Sequence, residues 1–280
     1  MASDFARESA MLLVTSGKGG VGTSVIAALT ALTAAETGRR VLLVDASEAG
    51  GTMHHLFGVR PKQSLWMLSH PRLLPSEALI PVDETLMLLA GGTSGSAIAP
   101  TSDGDRRAAL GRLASVYAEF DLVVFDGGPR LDTISAIYEL TSPTLLLVTS
   151  ADRLALAANY ALVKSVHARR ANASISIVAN RHGEALAAEA CEFLVGACSH
   201  FLGRSINVAG AIPDDPCLQA AVGAGMTVRD ALIGSPAADA MRGVLGSVLP
   251  SWPAPVRPAA MPASPSFPSF SPSLSSRRWS

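Results

Sequence analysis

Residues 15–24 read Thr15-Ser-Gly-Lys-Gly-Gly-Val-Gly-Thr-Ser24, and this stretch decides the fold. It follows the apolar run Met11–Thr15 and precedes a helix-length segment, Ser24–Thr37. Glycines let the backbone curl so that successive N–H groups point inward, where they and the N-terminus of the helix form an anion site. The order of strand, glycine-rich loop, hydroxyl and helix therefore predicts a loop that holds the phosphates of a nucleotide.

Short apolar runs alternate with helix-length segments along the rest of the chain. The predicted strands are Met11–Thr15, Val41–Asp45, Thr85–Leu89, Leu122–Asp126, Leu145–Thr149, Ser174–Ala179 and Val208–Ile212. The predicted helices include Ser24–Thr37, Asp105–Tyr117, Ala155–Ala168 and Glu184–Phe201. Because the strands are apolar on both faces, helices should cover both sides of the sheet. We therefore predict an α/β fold, a three-layer sandwich with a mostly parallel twisted sheet and helices on both faces.

The composition divides the 280-residue chain into one long domain and a tail. Apolar residues make up 49% of the chain, enough for residues 11–249 to form one nucleotide-binding domain, preceded by a flexible N-terminus at residues 1–10. Residues 250–280 contain eight prolines and nine serines and show no helix or strand period. Because such a segment buries too little apolar surface to offset its chain entropy, we expect it to be disordered.

The role of this tail stays open between three interpretations: a linker, a short docking motif, or a weak membrane contact through aromatic and basic side chains. The docking and membrane interpretations depend on the aromatic and basic residues of the tail, which are Trp252, Phe267, Phe270, Trp279, Arg277 and Arg278. No amphipathic helical period accompanies them, which argues against a membrane anchor.

The net charge and the cysteines limit the cellular compartments and the classes of binding partner that we expect. The net charge is −1, so the chain has no overall attraction to nucleic acid, and we do not expect DNA as a partner. Cys191, Cys198 and Cys217 form no C-x-x-C pair, and their odd number argues against a disulfide framework. No signal peptide is visible, since the N-terminus is polar and Met11–Thr15 is too short, and the apolar run Val25–Ala35 is shorter than the about 20 residues of a membrane span. We therefore expect a cytoplasmic protein with reduced thiols and at most peripheral contact with the inner face of the membrane.

The phosphate loop resembles the deviant Walker A loop of the MinD/ParA family of P-loop ATPases, which reads Lys-Gly-Gly-x-Gly-Lys-Thr/Ser. The resemblance implies a P-loop NTPase-like fold and binding of ATP or ADP with Mg²⁺. The loop residues expected to contact nucleotide are Gly17, Lys18, Gly19, Gly20, Val21, Gly22, Thr23 and Ser24. Lys18 matches the lysine that reaches across a nucleotide-sandwiched dimer to the partner's phosphates. The family's second lysine falls at Thr23, a loss of charge that costs on the order of a few kcal/mol.

Two more positions are expected to contribute to the chemistry of the site. The segment 44–47 reads Val-Asp-Ala-Ser, with Ser47 where the family has the aspartate that positions the attacking water. A serine is a poor general base. The strand Leu122–Asp126 keeps its final aspartate, and the resemblance implies that Asp126 and Ser24 hold Mg²⁺, with Asp126 acting through water.

A third departure from the family pattern follows that strand, where the chain reads Asp126-Gly-Gly-Pro-Arg130. Arg130 replaces the glycine that senses the γ-phosphate. Two interpretations remain open: Arg130 faces solvent, or it supplies part of the charge lost at Thr23. Because Thr23, Ser47 and Arg130 lie in three separate motifs, we expect a site that binds nucleotide with impaired or absent hydrolysis, and we assign no catalytic residue.

Two later segments resemble the parts of the family that recognise the base. Asn180 and Arg181 end a predicted strand, and Asn180 matches the asparagine that reads adenine. Pro213 and Asp214 follow the last predicted strand and resemble the loop that closes over the base. Their order after the phosphate loop favours an adenine nucleotide.

Within the family, the chain resembles most the FlhG branch, also called FleN or YlxH, the MinD-like regulators of flagellar number. The resemblance covers residues 11–248 and is carried by Leu89–Gly95, Ala155–Lys164 and the motifs that begin at Phe201, Gly210 and Ser235. The cysteines are badly placed for the iron–sulfur cluster of other relatives.

The resemblance implies an ATP-binding regulatory switch that controls the placement or number of flagella or of another cell-envelope assembly. It would act as a nucleotide-dependent homodimer, or as a heterodimer with a paralogue, and would bind a flagellar-assembly protein. The alternative is a nucleotide-independent scaffold, or a pseudo-ATPase partner of an intact paralogue.

Overall fold

The computed structural model describes residues 9–48, 51, 53–93, 100, 102–181, 183–231 and 235–249. Within these residues, eight strands form one sheet in the order β3-β4-β2-β5-β1-β6-β7-β8. The strands are β1 (Ala10–Thr15), β2 (Val41–Asp45), β3 (Ile80–Pro81), β4 (Leu86–Leu89), β5 (Leu122–Gly128), β6 (Thr144–Thr149), β7 (Ile175–Asn180) and β8 (Asn207–Ile212). All neighbouring strands pair in parallel except β3, which is antiparallel to β4. The predicted parallel sheet is therefore confirmed.

Helices connect and cover these strands. They are α1 (Thr23–Ala35), α2 (Met53–Leu56), α3 (Pro75–Ala78), α4 (Asp103–Arg112), α5 (Ala114–Tyr117), α6 (Leu131–Thr141), α7 (Arg153–Arg169), α8 (Glu184–Leu202), α9 (Pro216–Gly223), α10 (Val228–Ala231) and α11 (Pro236–Val248), with a 3-10 helix at Leu65–Ser69. The three-layer α/β sandwich expected from the sequence is confirmed.

The sheet separates two hydrophobic cores. Every residue of β2, β5 and β7 is buried, because these inner strands face helices on both sides. Helices α4, α6, α7 and α8 pack on one face, whereas α1 and α11 pack on the other. Strand β8 lies at the edge of the sheet, where the cover is incomplete: α8 and α11 pack on it from opposite faces, but Val208 remains 46% exposed.

The helix predicted at Asp105–Tyr117 is divided into α4 and α5. It begins earlier than predicted because the Ser102 hydroxyl caps it, accepting a bond of 3.1 Å from the backbone N–H of Asp105. The division falls at Leu113, whose N–H donates to the carbonyl three residues before it, a tighter spacing than in an α-helix. Leu113 is fully buried at this turn.

The two ends of the domain differ in how well they match the expected boundaries. Ser9 and Ala10 belong to the fold and not to a flexible N-terminus: Ala10 begins β1, and the Ser9 hydroxyl donates to the carbonyls of Tyr117 and Phe120. Residues 1–8 and 250–280, where flexibility and disorder were predicted, lie outside the described residues. At the other end, α11 packs on β8 and α1, and its Met241 is fully buried.

One described helix, α8, is long and apolar enough to cross a membrane by length and composition alone. It packs against β7, β8 and α7 through one face. A single helix of this kind is weak evidence for a membrane span. The same helix carries Cys191 and Cys198, both buried as free thiols, whereas Cys217 is exposed.

Candidate functional site

The candidate site lies at the carboxyl ends of the central strands, where parallel α/β sheets bind their ligands. Residues 16–22 connect the end of β1 to the start of α1. Strand β2 ends there in Asp45, and β7 ends there in Asn180. Asp126 pairs with Asp45 two residues before β5 ends at Gly128, so this strand is longer than the predicted Leu122–Asp126. The predicted site residues therefore meet at one edge of the sheet.

Close backbone approach makes glycine necessary at two positions of the phosphate loop. A Cβ on Gly17 would lie 2.2 Å from the carbonyl oxygen of Ala158, in α7. Gly22 has φ of +91°, a left-handed conformation, and a Cβ there would lie 2.3 Å from the side-chain nitrogen of Asn180. The loop is thus fixed against α7 on one side and against the end of β7 on the other.

Two asparagines hold the loop in this position. The Gly17 N–H donates to Asn159 Oδ1 at 2.6 Å, and the Asn159 amide donates in turn to the Val148 carbonyl at 3.0 Å. The Asn180 amide donates to the Val21 carbonyl at 2.8 Å. Because Asn180 is buried and bonded to the loop, it has a structural role besides the predicted reading of adenine, which stays a prediction.

Thr23 faces the inside of the loop. It is 8% exposed, and its Oγ1 lies 2.8 Å from Ser16 Oγ, which donates to the carbonyl of Lys18 at 2.8 Å. This chain of bonds directs the Thr23 hydroxyl proton toward Ser16. The residue at the family's lysine position therefore stabilises the loop from within and carries no charge.

Lys18 contacts its own chain. Its ammonium group forms an ion pair with Asp152, and each side chain is 40% exposed. Asp152 is also the N-cap of α7, where it accepts a bond of 3.0 Å from the Leu154 N–H. Two hydrogen bonds lower the pKa of Asp152: the larger effect comes from Lys18 and the smaller from the Leu154 N–H. The lysine predicted to act in a dimer is thus held by a carboxylate of the same subunit.

Two buried carboxyl groups lie behind the loop. Asp45 and Asp126 are neighbours across β2 and β5 and are 0% and 1% exposed. Burial, and then repulsion by Asp126, raises the pKa of Asp45 to about 7, although backbone N–H groups such as Met53 donate to it. Burial likewise raises the pKa of Asp126. Among the residues that the structure describes, neither carboxyl group has an ion-pair partner.

This arrangement fits a divalent cation. Asp126 Oδ2 is buried and has no hydrogen-bond partner at ordinary distance among the described residues. The Ser24 hydroxyl is close enough to lower the pKa of Asp126, against the larger effect of burial. Mg²⁺ prefers oxygen ligands and is often bound by one or two carboxylates with water. Ser24 and Asp126 would hold it, and its charge would offset the buried carboxylates.

Ser47 lies in the loop after β2 and faces Gly128 at the end of β5. Its N–H donates to Asp45 Oδ1 at 3.3 Å. Its hydroxyl is so near Gly128 that a Cβ on that glycine would lie 2.8 Å away. The position that carries an aspartate in the family is therefore at the predicted place, but it offers a neutral hydroxyl.

Arg130 takes part in an ion-pair network centred on Glu48. Its Nε lies 3.2 Å from Glu48 Oε2, and its guanidinium also pairs with Asp132. Arg106 of α4 donates to the other Glu48 oxygen at 2.8 Å, and Thr133 of α6 also bonds to it. Neither of the two predicted alternatives describes Arg130 fully: it is 53% exposed, and carboxylates neutralise its charge.

The same network keeps Glu48 ionised inside the protein. Burial alone would raise the pKa of Glu48, but hydrogen bonds from Arg106 and Thr133, with the charges of Arg106 and Arg130, lower it below its ordinary value. Glu48 is 5% exposed and Arg106 is 7% exposed. The loop after β2 is therefore joined to α4, to α6 and to the loop after β5.

The residues predicted to flank the base come together at the rim of the site. The Arg181 N–H donates to the Ile212 carbonyl at 2.9 Å, which joins the ends of β7 and β8. Its side chain pairs with Asp214 at 3.6 Å and donates to Gln219 at 3.0 Å. Arg181 has φ of +65°, which an arginine rarely adopts. The segments 180–181 and 213–214 thus form one edge of the candidate nucleotide pocket.

Sequence reasoning missed several residues that organise the site. They are Ser16, Glu48, Arg106, Thr133, Asp152 and Asn159. Only Asp152 carried a local signal, because an aspartate directly before a helical segment is typical of an N-cap. Glu48, Arg106, Thr133 and Asn159 act through contacts between distant parts of the chain, whereas Ser16 bonds Lys18 and Thr23 within the phosphate loop itself.

The fold and the phosphate loop define a P-loop NTPase of the ParA/MinD class. The ParA family model, described as NUBPL iron-transfer P-loop NTPase, matches residues 8–245. Since the match spans most of the chain, the protein belongs to this family.

One protein sequence and two solved structures show which members of the family this chain is similar to. The antiactivator FleN of Pseudomonas aeruginosa is 24% identical over 253 residues, which cover 89% of this chain and 89% of FleN. The septum site-determining protein MinD from Pyrococcus horikoshii, complexed with Mg-ADP, superposes with a TM-score of 0.68 at 20% identity, over 84% of this chain and 94% of that chain. A chain of the MinC:MinD cell division protein complex from Aquifex aeolicus gives 0.69 at 17% identity, over 92% and 99%. The structures support the fold, and FleN supports the nearness to the FlhG branch.

Proposed function

We propose that this protein is a nucleotide-binding regulatory switch of the MinD/ParA type that binds ATP or ADP with Mg²⁺ and hydrolyses ATP poorly or not at all. The observation that carries the proposal is the pair of buried carboxyl groups, Asp45 and Asp126, behind an ordered phosphate loop. Two buried acids without a counter-ion are costly, and a bound Mg²⁺–nucleotide complex would compensate them.

The proposed loss of hydrolysis rests on the neutral groups at two positions. Thr23 is neutral, so it cannot replace the charge of a lysine at the phosphates. Its hydroxyl is also directed toward Ser16. Ser47 offers a hydroxyl at the position of the family's water-orienting aspartate, and its unperturbed pKa is unsuited to a general base. The backbone N–H groups of the loop remain as the main phosphate-binding groups.

The proposed switch is a dimer controlled by nucleotide. Lys18 is partly exposed and is held by a single carboxylate, Asp152, in the isolated chain. Transfer of the lysine to the phosphates of a second subunit would exchange one ion pair for another, so dimerisation would depend on the bound nucleotide. The second subunit is either another copy or a paralogue that has kept its own lysine.

The proposed process is the control of flagellar number or placement, or of another cell-envelope assembly. The similarity to the antiactivator FleN over 89% of this chain supports it. A flagellar-assembly protein is the expected partner, and any membrane contact would be peripheral.

Calorimetric titration with Mg-ATP and Mg-ADP tests nucleotide binding. We expect a dissociation constant in the micromolar range, which corresponds to about −8 kcal/mol. The variant Ser24→Ala should weaken binding in the presence of Mg²⁺ but not with EDTA, whereas Ser47→Ala should leave binding unchanged. Heat changes indistinguishable from buffer at millimolar nucleotide would refute the proposal.

A nucleotide-independent scaffold is the second candidate function. It is favoured by the Glu48 network, which fixes the loops after β2 and β5 against α4 and α6 through three side chains. Loops held in this way would not change conformation when nucleotide binds. Such a scaffold would bind its partner equally with and without ATP, and Lys18→Ala would not affect the complex.

A further inference from the structure

A cavity of about 500 Å³ opens between α6 and the carboxyl-terminal end of α7. Helix α7 runs from the carboxyl end of β6 to the amino end of β7, so this cavity lies at the opposite edge of the sheet from the candidate nucleotide site. A cavity of this volume is large enough for a small molecule. It is lined by Ile134, Ser135, Tyr138 and Glu139 of α6 and by Val166, Arg169 and Arg170 of α7.

Two arginines give the lining of this cavity a positive charge. Arg169 is the last residue of α7, and Arg170 is its C-cap. Within the part of the chain that the structure describes, neither forms an ion pair, although Arg169 donates to the Ser165 carbonyl at 3.3 Å. The carboxylate in the lining, Glu139, is paired with Arg107 at 2.6 Å. The two guanidinium groups therefore exceed the negative charge that the lining offers them.

A third arginine, Arg204, adds positive charge next to the cavity. It is 9% exposed and donates to the carbonyls of Ala171 and Ala173, and its Nε is buried without a hydrogen-bond partner among the described residues. Burial raises the pKa of Tyr138, and the charges of Arg204 and Arg170 act against this effect. The Tyr138 hydroxyl, which is a hydrogen-bond donor, therefore lies in the positive potential of both guanidinium groups.

The dipole of α7 explains only part of this charge. The carboxyl end of a helix carries about −0.5 of an elementary charge, whereas Arg169, Arg170 and Arg204 each carry a full positive charge. By contrast, Arg107 of α4 pairs with two carboxylates. In a chain with a net charge of −1, the uncompensated charge at this cavity favours an anionic ligand.

We propose that this cavity is a second ligand site, which binds a small organic phosphate ester. A phosphate monoester carries about two negative charges at pH 7, and guanidinium groups bind its oxygens through paired hydrogen bonds. Arg169 and Arg170 contact the phosphate, and the hydroxyl groups of Ser135 and Tyr138 donate further hydrogen bonds. The Tyr138 ring and Val166 form an apolar wall for the organic part of the ester.

Fluorine NMR of the full chain tests this site through Tyr138. The chain has three tyrosines, so labelling with 3-fluorotyrosine gives three resonances, which are assigned by replacing each tyrosine with phenylalanine. Phenyl phosphate should shift the Tyr138 resonance, with half saturation at about 1 mM or below. The resonance of Tyr160, which packs against Phe201 of α8, should not move. No shift of the Tyr138 resonance at about 20 mM phenyl phosphate, or an equal shift with benzyl alcohol, would overturn the proposal.

Two variants separate this site from general attraction of anions and from binding at the phosphate loop. Arg170→Ala removes a guanidinium group from the lining and should weaken the binding of phenyl phosphate by about tenfold. Lys164→Ala removes a positive charge from an exposed position of the same helix and should change the affinity by less than about twofold. Urea midpoints establish that both variants fold. Equal affinities of the two variants for phenyl phosphate would overturn the proposal.

Inorganic phosphate tests the organic part of the ligand. It lacks the ring that contacts the apolar wall, so it should bind at least about threefold more weakly than phenyl phosphate. The shift of the Tyr138 resonance measures both affinities in the same labelled protein. Inorganic phosphate that binds as tightly as phenyl phosphate would contradict a site for an ester.

Discussion

The Lys18 ammonium group is ion-paired with Asp152, a residue 134 positions further along the same chain. The pair joins the phosphate loop to the N-terminus of α7. In the isolated subunit, Asp152 thus binds Lys18, the side chain that would contact the second subunit in the proposed switch. In the proposed switch, the state of this ion pair would therefore be coupled to dimerisation.

Release of Lys18 should favour the dimer. Asp152→Asn removes the charge but keeps an N-cap side chain, so α7 should remain intact. Because the pair is partly exposed, we expect only about a two- to fivefold tighter ATP-dependent dimer, measured by sedimentation equilibrium. Lys18→Ala should abolish the dependence on ATP. An Asp152→Asn variant that dimerises as weakly as the wild type would show that the pair does not restrain the switch.

Restoring the lost lysine should strengthen nucleotide binding. In Thr23→Lys, an ammonium group near the buried carboxyl groups and the phosphates should tighten Mg-ATP binding by about tenfold or more. Thr23→Ser is the matched control, because it keeps the hydroxyl bonded to Ser16. Calorimetry on both variants measures the difference. No gain for the lysine variant would mean that the loop cannot direct the side chain outward.

Stability should depend on pH through Asp45. Its pKa is raised from 3.8 to about 7 in the folded protein, so the folded state binds more protons than the unfolded state between these values. The contribution of Asp45 to the free energy of unfolding should therefore fall as pH rises from about 4 to about 7 and level off above. Urea unfolding of the wild type and of Asp45→Asn across this range measures the contribution as the difference between the two profiles. Asp132→Asn, at an exposed site, should keep the wild-type profile. Parallel profiles for the wild type and Asp45→Asn would contradict the assignment.

The asparagine that joins the phosphate loop to β6 and α7 should matter for stability. Asn159 is 1% exposed and bonds both the Gly17 N–H and the Val148 carbonyl. Asn159→Leu should lower the free energy of unfolding by about 2–4 kcal/mol, because it leaves two buried backbone groups unpaired. Asn172→Ala, at an exposed position, is the control and should change it by less than about 0.5 kcal/mol. Equal urea midpoints for both variants would contradict the proposed role.

The sequence predicted the sheet and the position of the site because both depend on local patterns. Apolar runs bounded by helical segments placed seven of the eight strands, and the glycine-rich loop placed the site at the end of β1. The strand that was missed, β3, has only two residues, too few for a period. Helix α6 was missed because it follows the Gly-Gly-Pro-Arg turn directly, without a side-chain cap.

The ion pairs of the site could not be predicted, because they join residues far apart in sequence. Glu48 contacts Arg106 and Thr133 at separations of 58 and 85 residues. Which partner a charged side chain selects depends on the packing of α4 and α6 on the sheet. The inward direction of Thr23 could not be predicted for a different reason: Ser16 is only seven residues away, but the curvature of the loop decides whether their hydroxyl groups meet.

The identity of the nucleotide held by the protein tests the central claim most directly. The protein is incubated for hours with a substoichiometric amount of Mg-ATP, at a protein concentration above the expected dissociation constant, then denatured with acid, and all nucleotide is analysed. A switch that binds ATP without turnover predicts that the nucleotide remains ATP, and that the double variant Thr23→Lys, Ser47→Asp yields ADP. Conversion of the ATP to ADP by the wild type would contradict the account.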